Sequence, residues 1–391
     1  MTKPKINVIY VSDGLSDEKY YSIFSKSLGY PKQQMQKYNK TMMQGFSKVE
    51  AISFSALSIL PVDSTNSTKM IIRGSKESQN NIQFRYLPSS KNKILRLIMN
   101  MVGGFFNIVF KNKSNTFVVI DVLNIAVNIG VISACKLKRI PIIGIVTDLP
   151  CFLNTSNVIK NMMNNNIAAC DKYVFLSEEM NKKINCNGKP YVVIEGQIDD
   201  SVLCDEKPIY KEESINCIYA GSIAKTNGID RLVYGFISAN IEGASLSIYG
   251  QGDYADELKR IQERHSNIKY YGAIPNYELI PILQKATLLI NPRPSQQEFT
   301  KYSFPSKNME YMASGTPLLT THLASLPEEY IPYVYLIEDE SVEGIAETIK
   351  TVLSLDRRKL EEKGRKAQQF VFTKKTGKMQ ANRIVNSLIL G

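Results

Sequence analysis

The sequence predicts an α/β protein built from two Rossmann-like parallel-sheet domains that face each other across a central cleft. Short apolar runs alternate with helical stretches along the chain, a pattern typical of parallel sheets covered by helices. The alternation stops at residues 198–214, where acidic residues and Pro208 suit a linker, and then it restarts. A chain of 391 residues accommodates two domains, which we place at 1–205 and 206–372.

In the first domain, the apolar runs are short enough for buried strands. They lie at 5–11, 50–54, 69–73, 81–86, 117–121, 141–146, 172–176 and 190–195. A helix is expected over 17–28, and residues 31–48 are expected to form a loop with a short helix. The turn at 12–14 holds one glycine rather than a G-x-G-x-x-G pattern, so dinucleotide binding is disfavoured.

The second domain repeats the pattern. Its strands are expected at 216–220, 244–249, 267–271, 286–291 and 318–321. A helix is expected over 229–239, and the charges at 357–365 indicate a solvated helix face. Ligands of open parallel sheets bind beyond the carboxyl ends of the strands, so we expect the site at that edge.

Residues 286–321 read as strand, polar loop, helix and strand, and the helix start suits an anion. Ser303 is expected to cap the helix, with Pro305 in its first turn and Gly315 at its end. Free amides, hydroxyl groups and Lys307 would favour phosphate. Glu310 lies on the same helical face and offers an acceptor for ribose hydroxyls. A capped helix with a solvated Lys/Glu pair accounts for the same residues.

Composition excludes several classes of protein. The six cysteines are scattered without a C-x-x-C pair or a nearby histidine, which argues against zinc and disulfides and fits reduced cytosol. The first residues lack the apolar core of a signal peptide and start a strand. No uncharged apolar run reaches about 18 residues, so we expect no membrane span.

Positive charge is concentrated in the first half of the chain. Residues 1–210 carry a net charge of +10 and the remainder +1, which points to an acidic partner. Residues 91–113 form the most apolar stretch and have lysines at both ends. They suit a helix lying on an anionic membrane surface; a buried helix that packs closely through Gly103 and Gly104 is the alternative.

The motif YSFPSKNMEYMASGTPLL at 302–319 resembles the donor-site motif of family 4 retaining glycosyltransferases, most closely a bacterial capsular and exopolysaccharide subgroup. Further similar segments are TDLP at 147–150, FLSEEM at 175–180, VIEGQID at 193–199, YAGSIAKTNGIDRL at 219–232 and IYGQGDYADEL at 248–258. The resemblance is close in the second half and loose over the first 130 residues. It implies the GT-B fold, with residues 373–391 packing back on the first domain.

The resemblance also implies a donor site, from which this chain departs at two places. Ser222 and Asn227 stand where the family has an arginine and a lysine on the donor diphosphate, so Lys225 and Arg293 are the expected replacements. An exposed loop lysine without a ligand is the alternative for Lys225. Tyr302 stands at the first of two family glutamates, and Glu310 matches the second, which binds ribose. The other expected donor contacts are Gly221, Gly250, Gly272, Ile274, Glu298, Ser303, Phe304, Pro305 and Ser306.

A third departure concerns the first domain. The family often places a histidine there, near the donor sugar, but the two histidines of this chain lie at 265 and 322. Asp148 can orient an acceptor hydroxyl or act as base, or simply cap the following segment. Asp13 and Gly14 are expected on the acceptor side, with a turn-capping role as the alternative for Asp13.

The resemblance therefore implies a hexosyltransferase-type retaining enzyme. Lys225, Arg293 and Lys307 would stabilise the charge of the leaving diphosphate, with no cofactor and no metal, since no Asp-x-Asp motif is present. The expected donor is a UDP-sugar, and the expected acceptor is a lipid-linked or growing cell-surface glycan. The protein would be cytoplasmic and peripheral on the inner membrane face, bound through 91–113.

Three other functions fit parts of the sequence. A nucleotide-sugar 2-epimerase of the same fold would not need an apolar docking stretch at 91–113. A nucleic-acid-binding protein would use the basic half, but its basic residues are not interleaved with aromatics in a known motif, so no nucleic-acid partner is expected. A catalytically degenerate partner subunit is the third alternative, because of Tyr302 and the missing histidine.

Overall fold

The computed structural model divides into two compact units. The first unit contains residues 1–199 and 376–391, and the second contains residues 200–375. The structure describes residues 5–24, 33–62, 67, 69–199 and 214–391. The linker expected at 198–214 and the end of the helix expected over 17–28 therefore lie largely outside the described residues.

The first unit is an α/β sandwich of strands and helices. Its strands are β1 (Ile6–Ser12), β2 (Ile52–Ser58), β3 (Ile71–Ile72), β4 (Ser75–Gln79), β5 (Ile82–Tyr86), β6 (Ser89–Ser90), β7 (Thr116–Asp121), β8 (Ile142–Val146), β9 (Lys172–Phe175) and β10 (Tyr191–Val193). Its helices before the linker are α1 (Asp17–Phe24), α2 (Gln33–Ser47), α3 (Lys93–Val109), α4 (Ile125–Lys138), α5 (Asn157–Ala169) and α6 (Glu178–Ile184).

Eight strands of the first unit form one sheet, in the order β10-β9-β8-β7-β1-β2-β5-β4. Every neighbouring pair is parallel except β4 with β5. The central strands β1, β7 and β8 are apolar and buried along most of their length, as parallel strands covered on both faces must be. Their carboxyl ends therefore lie at one edge of the sheet.

The edge of this sheet differs from the sequence prediction. A single strand was expected over 69–73, but only Ile71 and Ile72 form one, in a separate two-stranded pairing with β6. The antiparallel strand β4 follows and was not predicted. Asn80 and Asn81 both adopt left-handed backbone conformations, which close the two-residue hairpin between β4 and β5. Their polarity had indicated only a loop.

Residues 33–47 form one long helix, so the prediction of a loop with a short helix over 31–48 was wrong. The apolar residues Met42, Met43 and Phe46 of α2 are fully buried, and Phe46 stacks on Phe54 of β2. The many polar residues of this segment made the helical spacing of its apolar residues hard to recognise in the sequence. Burial of one face holds the helix regardless of its modest intrinsic propensity.

Helix α3 packs on α4 at very close range. A Cβ atom added to Gly130 of α4 would lie 1.9 Å from the carbonyl oxygen of Met101, and one added to Gly104 would lie 2.7 Å from that of Val127. Only glycine permits these approaches. Close packing through Gly103 and Gly104 belonged to the alternative of a buried helix, but the opposite face of α3 is exposed: Phe106 is 51% accessible, and Phe110 directly after the helix is 81% accessible.

The second unit is a smaller doubly wound sheet. Its strands are β11 (Ile215–Ala220), β12 (Ala244–Tyr249), β13 (Ile268–Gly272), β14 (Leu288–Asn291), β15 (Leu318–Thr321) and β16 (Tyr335–Ile337). Its helices are α7 (Ile229–Ala239), α8 (Ala255–Arg264), α9 (Asn276–Lys285), α10 (Ser306–Ala313), α11 (Val342–Leu353) and α12 (Arg357–Lys374). The strand order is β13-β12-β11-β14-β15-β16, and all neighbours are parallel.

The chain returns to the first unit after α12. Thr376 bridges to Ile198 and its hydroxyl accepts from the amide of Met379, which caps α13 (Gly377–Val385). Helix α13 packs against α2, where a Cβ atom on Gly45 would lie 2.2 Å from the carbonyl oxygen of Gly377. The two sheets and their helices confirm the predicted fold class of paired Rossmann-like parallel-sheet units.

Candidate functional site

The carboxyl ends of the strands in the second unit are tied together by backbone hydrogen bonds. The amide of Gly221, just after β11, donates to Tyr249 at the end of β12 over 2.8 Å. The amide of Gly250 in turn donates to Gly272 at the end of β13, also over 2.8 Å. Three strand ends thus form a continuous backbone edge, the position at which such sheets bind ligands.

Helix α10 is anchored to this edge by Tyr311. Its buried hydroxyl accepts from the amide of Ala220 over 2.7 Å and donates to the carbonyl of Ala220 over 3.0 Å. Burial raises the pKa of this phenol further above its ordinary value, so the hydroxyl keeps the proton that it donates. Tyr311 therefore fixes α10 relative to the end of β11.

A buried amide network fixes the other side of α10. Asn291 at the end of β14 donates from Nδ2 to Oδ1 of Asn308 over 2.7 Å. Asn308 donates from its own Nδ2 to the hydroxyl of Thr320 on β15 over 3.1 Å. All three side chains are buried, and satisfied buried networks of this kind rigidify the elements that they join.

The start of α10 differs from the sequence prediction. The helix begins at Ser306, and Pro305 occupies the position before it, without a side-chain cap. Ser303 therefore does not cap the helix, and Pro305 does not lie in its first turn. A residue before proline avoids the helical region, so Pro305 disfavours a helix that already includes Phe304, and the start lies downstream. The end of the helix is as predicted, with Gly315 in the left-handed region.

Lys307 lies one turn before Tyr311 and extends over the end of β11. Its ammonium nitrogen lies 3.2 Å from the hydroxyl of Tyr219 and 4.7 Å from the centre of that ring. Burial and then the charge of Arg293 lower the pKa of Lys307 to about 8, against a smaller opposing effect of Glu310. Two cations and one carboxylate therefore share this part of the edge.

The path of Lys307 depends on Gly221. A Cβ atom at position 221 would lie 1.5 Å from Nζ of Lys307 and 2.1 Å from its Cε. Any side chain at this position would displace the ammonium group from the strand end. Gly221, Lys307 and Arg293 therefore belong to one arrangement, although they are far apart in the sequence.

Arg293 follows β14 and is held by an aromatic ring. The centre of its guanidinium group lies 4.9 Å from the centre of the Phe299 ring, a separation at which cation–π attraction is effective. Its charge also lowers the pKa of the Tyr219 hydroxyl against the larger effect of burial. Arg293 therefore acts electrostatically on Tyr219, which Lys307 contacts directly, whereas Lys225 lies over the ring of Tyr254 at 5.6 Å.

The remaining predicted donor residues surround this edge in different environments. Asn227 donates to the carbonyl of Ser222 over 3.2 Å, as does the hydroxyl of Tyr219 over 2.8 Å. Phe304 is buried with its ring centre 5.2 Å from that of Tyr330, so only its backbone is left for a ligand. Glu298, Ser306 and Glu310 are exposed, and Tyr302, Ser303 and Ile274 are partly buried.

The corresponding edge of the first unit is acidic. Asp13 follows β1, Asp121 ends β7 and Asp148 follows β8. The side-chain Nδ2 of Asn39 donates to Oδ1 of Asp13 over 2.7 Å, and the Tyr10 hydroxyl donates to Oδ1 of Asn39 over 2.5 Å. Three strand ends and α2 thus bring carboxylates and amides together.

Asp121 is the most perturbed of these carboxyl groups. Burial, followed by the charge of Asp13 and, more weakly, that of Asp148, raises the pKa of Asp121 from 3.8 to about 7. Hydrogen bonds from the amide of Leu123 and from the side chain of Asn39 oppose the rise. Asp121 therefore keeps its proton to a higher pH than an exposed carboxyl group does.

Sequence analysis singled out Asp13 and Asp148 but missed Asn39, which holds Asp13, and the buried carboxyl group of Asp121. Asn39 lies in the segment taken for a loop, and Asp121 was assigned only as the end of a strand. Tyr311, Asn291 and Asn308 were missed in the second unit. A polar residue inside an apolar strand or helix was the available signal, since such a residue is buried only with a hydrogen-bond partner.

Among the described residues, no group of three or more histidine, cysteine, aspartate or glutamate side chains could hold a metal ion. No helix in the same part of the chain is both long and apolar enough to cross a membrane.

The chain was compared with protein families, curated proteins and solved structures. Residues 205–367 match the family model described as glycosyl transferases group 1, and no curated protein matches the chain. Among solved structures, sucrose-phosphate synthase from Thermosynechococcus elongatus is 13% identical with a TM-score of 0.66 and covers 97% of this chain and 98% of its own.

Two further structures are similar over their full lengths. The Anabaena protein HepE in complex with UDP is 12% identical, with a TM-score of 0.64 over 98% of this chain and 99% of its own. The lipopolysaccharide outer core galactosyltransferase WaaB is 13% identical, with a TM-score of 0.64 over 98% of this chain and 100% of its own. At these identities the likeness shows the fold, which is GT-B. Together with the family match over residues 205–367, it supports a glycosyltransferase.

Proposed function

We propose that the protein is a retaining glycosyltransferase that moves a hexose from a UDP-sugar to a lipid-linked or growing cell-surface glycan. The observation that carries the proposal is the pair Lys307 and Arg293 at the strand ends, with Glu310 one helical turn beyond. Two nearby cations repel each other in the absence of a ligand, and an anion with two charged groups relieves that repulsion. A sugar diphosphate supplies such an anion.

The roles follow from the positions of the side chains. Lys307 and Arg293 neutralise the diphosphate, and the exposed carboxylate of Glu310 accepts from the ribose hydroxyls. The strand-end glycines at 250 and 272, with Ile274, admit the base. UDP is the proposed nucleotide because HepE, which shares the fold, is described in complex with UDP.

The reaction exchanges one bond at C1 of the sugar and transfers one proton. The bond between C1 of the sugar and the diphosphate oxygen breaks, and its electron pair leaves with the diphosphate. The acceptor hydroxyl oxygen bonds to C1 on the same face, and its proton passes to a diphosphate oxygen. Lys307 and Arg293 stabilise the charge that develops on the leaving group, an effect that is usually the largest in such catalysis. Lys225 and Tyr302 are proposed to assist at the phosphate and the sugar.

The acidic edge of the first unit is proposed to bind the acceptor. Asp148 and Asp13 can each accept a hydrogen bond from a sugar hydroxyl, and the backbone at Gly14 lies beside Asp13. Nδ2 of Asn39 donates to Oδ1 of Asp13 and thereby fixes the direction of the Asp13 carboxylate. No cofactor and no metal ion are included in the proposal.

The cytoplasmic membrane face is the proposed place of action. Exposed apolar side chains along α3 and at the residue after it include Ile94, Ile98, Phe106 and Phe110, and lysines at 91, 93, 111 and 113 lie at the two ends of this segment. A helix with one apolar face and a basic rim binds in the interface of anionic membranes. A lipid-linked acceptor would be presented at that surface.

Calorimetric titration with UDP, GDP and ADP, without added metal, tests the donor site. We expect UDP to bind selectively and Glu310→Ala to weaken it. Glu347→Ala is the matched control, because Glu347 is an exposed helical glutamate of the same unit. It pairs with Lys350 three residues away, and Glu310 is likewise three residues away from Lys307. Unchanged UDP affinity in Glu310→Ala would remove the ribose role.

A second outcome of the titration would change the proposal altogether. If none of the three nucleotides binds, the donor site has decayed, and a catalytically degenerate partner subunit becomes the better account. If UDP binds, incubation of UDP-hexoses with lipid-linked sugars should yield a glycosidic product. Free epimerised nucleotide-sugar without transfer would indicate the epimerase of the same fold instead.

Vesicle sedimentation tests the membrane face separately. Replacing Phe106 and Phe110 by serine should reduce binding to anionic vesicles and leave the UDP affinity unchanged. Tyr277→Ser is the control, since Tyr277 is an aromatic residue of the second unit with 74% of its surface exposed. Equal vesicle binding by all three proteins would contradict docking through α3.

A further inference from the structure

A cavity of about 340 Å³ lies in the first unit, between the β2-β5-β4 edge of the sheet and the C-terminal end of α3. Its apolar lining includes Ile9, Leu57 and Ile108, and its polar lining includes Ser78 and Gln83. None of these residues belongs to either strand-end edge described above. A space of this size admits a small polar group rather than a macromolecule.

Three cations line the cavity, from three different elements: Lys76 on β4, Arg85 on β5 and Lys111 after α3. Lys76 and Arg85 are direct cross-strand partners in the antiparallel register. Like charges directly opposite each other destabilise a sheet. Proximity to a helix C-terminus stabilises Lys111, but it explains neither of the other two cations.

The guanidinium group of Arg85 is held in a fixed direction by α3. Its Nη1 donates to Oδ1 of Asn107 over 2.7 Å, and Nδ2 of Asn107 donates to the carbonyl of Gly103 over 2.8 Å. Partial burial, followed by the charges of Arg85 and Lys76, lowers the pKa of Lys111. The three positive charges are therefore close enough to affect one another.

The carboxylate in the lining does not neutralise these charges. Oε1 of Glu77 accepts from the hydroxyl of Tyr86 over 2.9 Å. Because successive side chains of a strand point to opposite faces, Glu77 lies on the face of β4 opposite to Lys76. Within the part of the chain that the structure describes, the ion pairs include none formed by Lys76, Arg85 or Lys111. A ligand anion would complete the arrangement.

We propose that this cavity binds the phosphate headgroup of an anionic membrane lipid. The inference rests on the membrane docking proposed above and deepens it. We assign the phosphate to a lipid because the cavity adjoins the exposed apolar face of α3. Asn107 and Lys111 line the cavity, and Phe106 and Phe110 are their immediate neighbours in sequence. A headgroup in the cavity leaves its acyl chains beside that apolar face. Arg85 offers paired donors that suit phosphate oxygens.

The test is sedimentation of the full chain with phosphatidylcholine vesicles containing phosphatidic acid or, at matched surface charge, phosphatidylserine. Arg85→Gln and Lys76→Gln should each weaken binding to phosphatidic acid at least about tenfold, and less with phosphatidylserine. Lys113→Gln is the matched control: it removes one exposed charge beside the cavity without lining it, and should weaken binding by no more than about fivefold, the effect of one charge near an anionic surface.

Three outcomes would overturn the proposal. Equal losses in all three variants would reduce the cations to unspecific surface charge, and docking through α3 would stand without a headgroup site. Tight binding of inorganic phosphate, lost in Arg85→Gln while vesicle binding is unchanged, would assign the cavity to a free phosphate compound. Absence of vesicle binding by the unaltered protein would remove docking and headgroup site together, whereas UDP titration of the same sample reports on the donor site alone.

Discussion

The two units present strand ends of opposite charge. In the second unit, Lys307 contacts Tyr219 at the end of β11, and Arg293 follows β14 and lies close enough to affect the pKa values of Lys307 and Tyr219. In the first unit, Asp13, Asp121 and Asp148 lie at the ends of β1, β7 and β8. The same sheet architecture therefore offers cations at one edge and carboxyl groups at the other.

Burial acts on both edges but in opposite directions. It lowers the pKa of Lys307 to about 8 and raises that of Asp121 to about 7, because in each case it disfavours the charged form. Both groups consequently titrate near neutral pH, which is common for groups at functional sites. The proposed donor and acceptor chemistry predicts that only the cationic edge responds to nucleotide.

The largest effect is expected from Asp121→Asn on stability. The folded-state pKa of Asp121 is raised above its ordinary value, so the folded protein holds a proton that the unfolded chain has lost between about pH 4 and pH 7. Stability of the unaltered protein therefore falls as pH rises through this window, by at most about 1.4 kcal/mol per pH unit. Asp121→Asn should remove this contribution, and its stability should exceed that of the unaltered protein by the largest amount near pH 8.

Urea denaturation at pH 5 and pH 8, followed by circular dichroism, measures this difference. Asp171→Asn is the control for loss of one carboxyl group, since Asp171 is exposed and accepts from the amide of Ile142 through Oδ2. If Asp121→Asn and the unaltered protein respond equally to pH, the acidic edge is not buried as described.

Gly221→Ala should weaken UDP binding by about tenfold to a hundredfold with little loss of stability. The added methyl group meets the flexible end of Lys307, so the ammonium group moves away while the fold adjusts. Loss of a charged hydrogen bond is worth about 1.5–3 kcal/mol. The double variant with Lys307→Ala should bind UDP no more weakly than Lys307→Ala alone, because both remove the same contact. Additive losses in the titration would show that Gly221 acts in another way.

UDP affinity should fall about tenfold between pH 7 and pH 9. With a pKa of about 8, Lys307 is mostly protonated at the lower pH and mostly neutral at the higher one. Apparent affinity decreases in proportion to the competent fraction. Lys307→Arg should keep its affinity at pH 9 because arginine stays charged. A parallel fall in both proteins would assign the pH effect to another group.

The smallest effect is expected from Lys225→Ala. Lys225 is exposed and lies over Tyr254, whereas Lys307 contacts Tyr219 at the end of β11, so we expect a loss of UDP affinity of about twofold, typical of an exposed charge. Arg293→Ala, measured in the same titration, should lose several times more. A loss in Lys225→Ala as large as in Arg293→Ala would give the loop lysine a direct place on the diphosphate.

Strong periodicity made most of the fold predictable. The buried parallel strands and α7 stood out as apolar runs between polar turns, and the family resemblance in the second half named the fold. The hairpin of β4 and β5 and the length of α2 were not predictable in the same way. Polar residues dominate both segments, and their structure depends on pairing with β5 and on burial of one face of α2 against β2.

The sequence by itself determined the two parallel sheets and the chemistry available at their ends, because apolar spacing and residue type are local properties. Only the tertiary structure decided which of those residues meet. Gly221 and Lys307 come into contact because Tyr311 binds Ala220, and the Asp121 pKa is raised by burial and then by the charges of Asp13 and Asp148, which follow other strands. The cavity beneath α3 likewise joins Lys76, Arg85 and Lys111. Such contacts depend on distances between elements, and these are fixed only when the whole core packs.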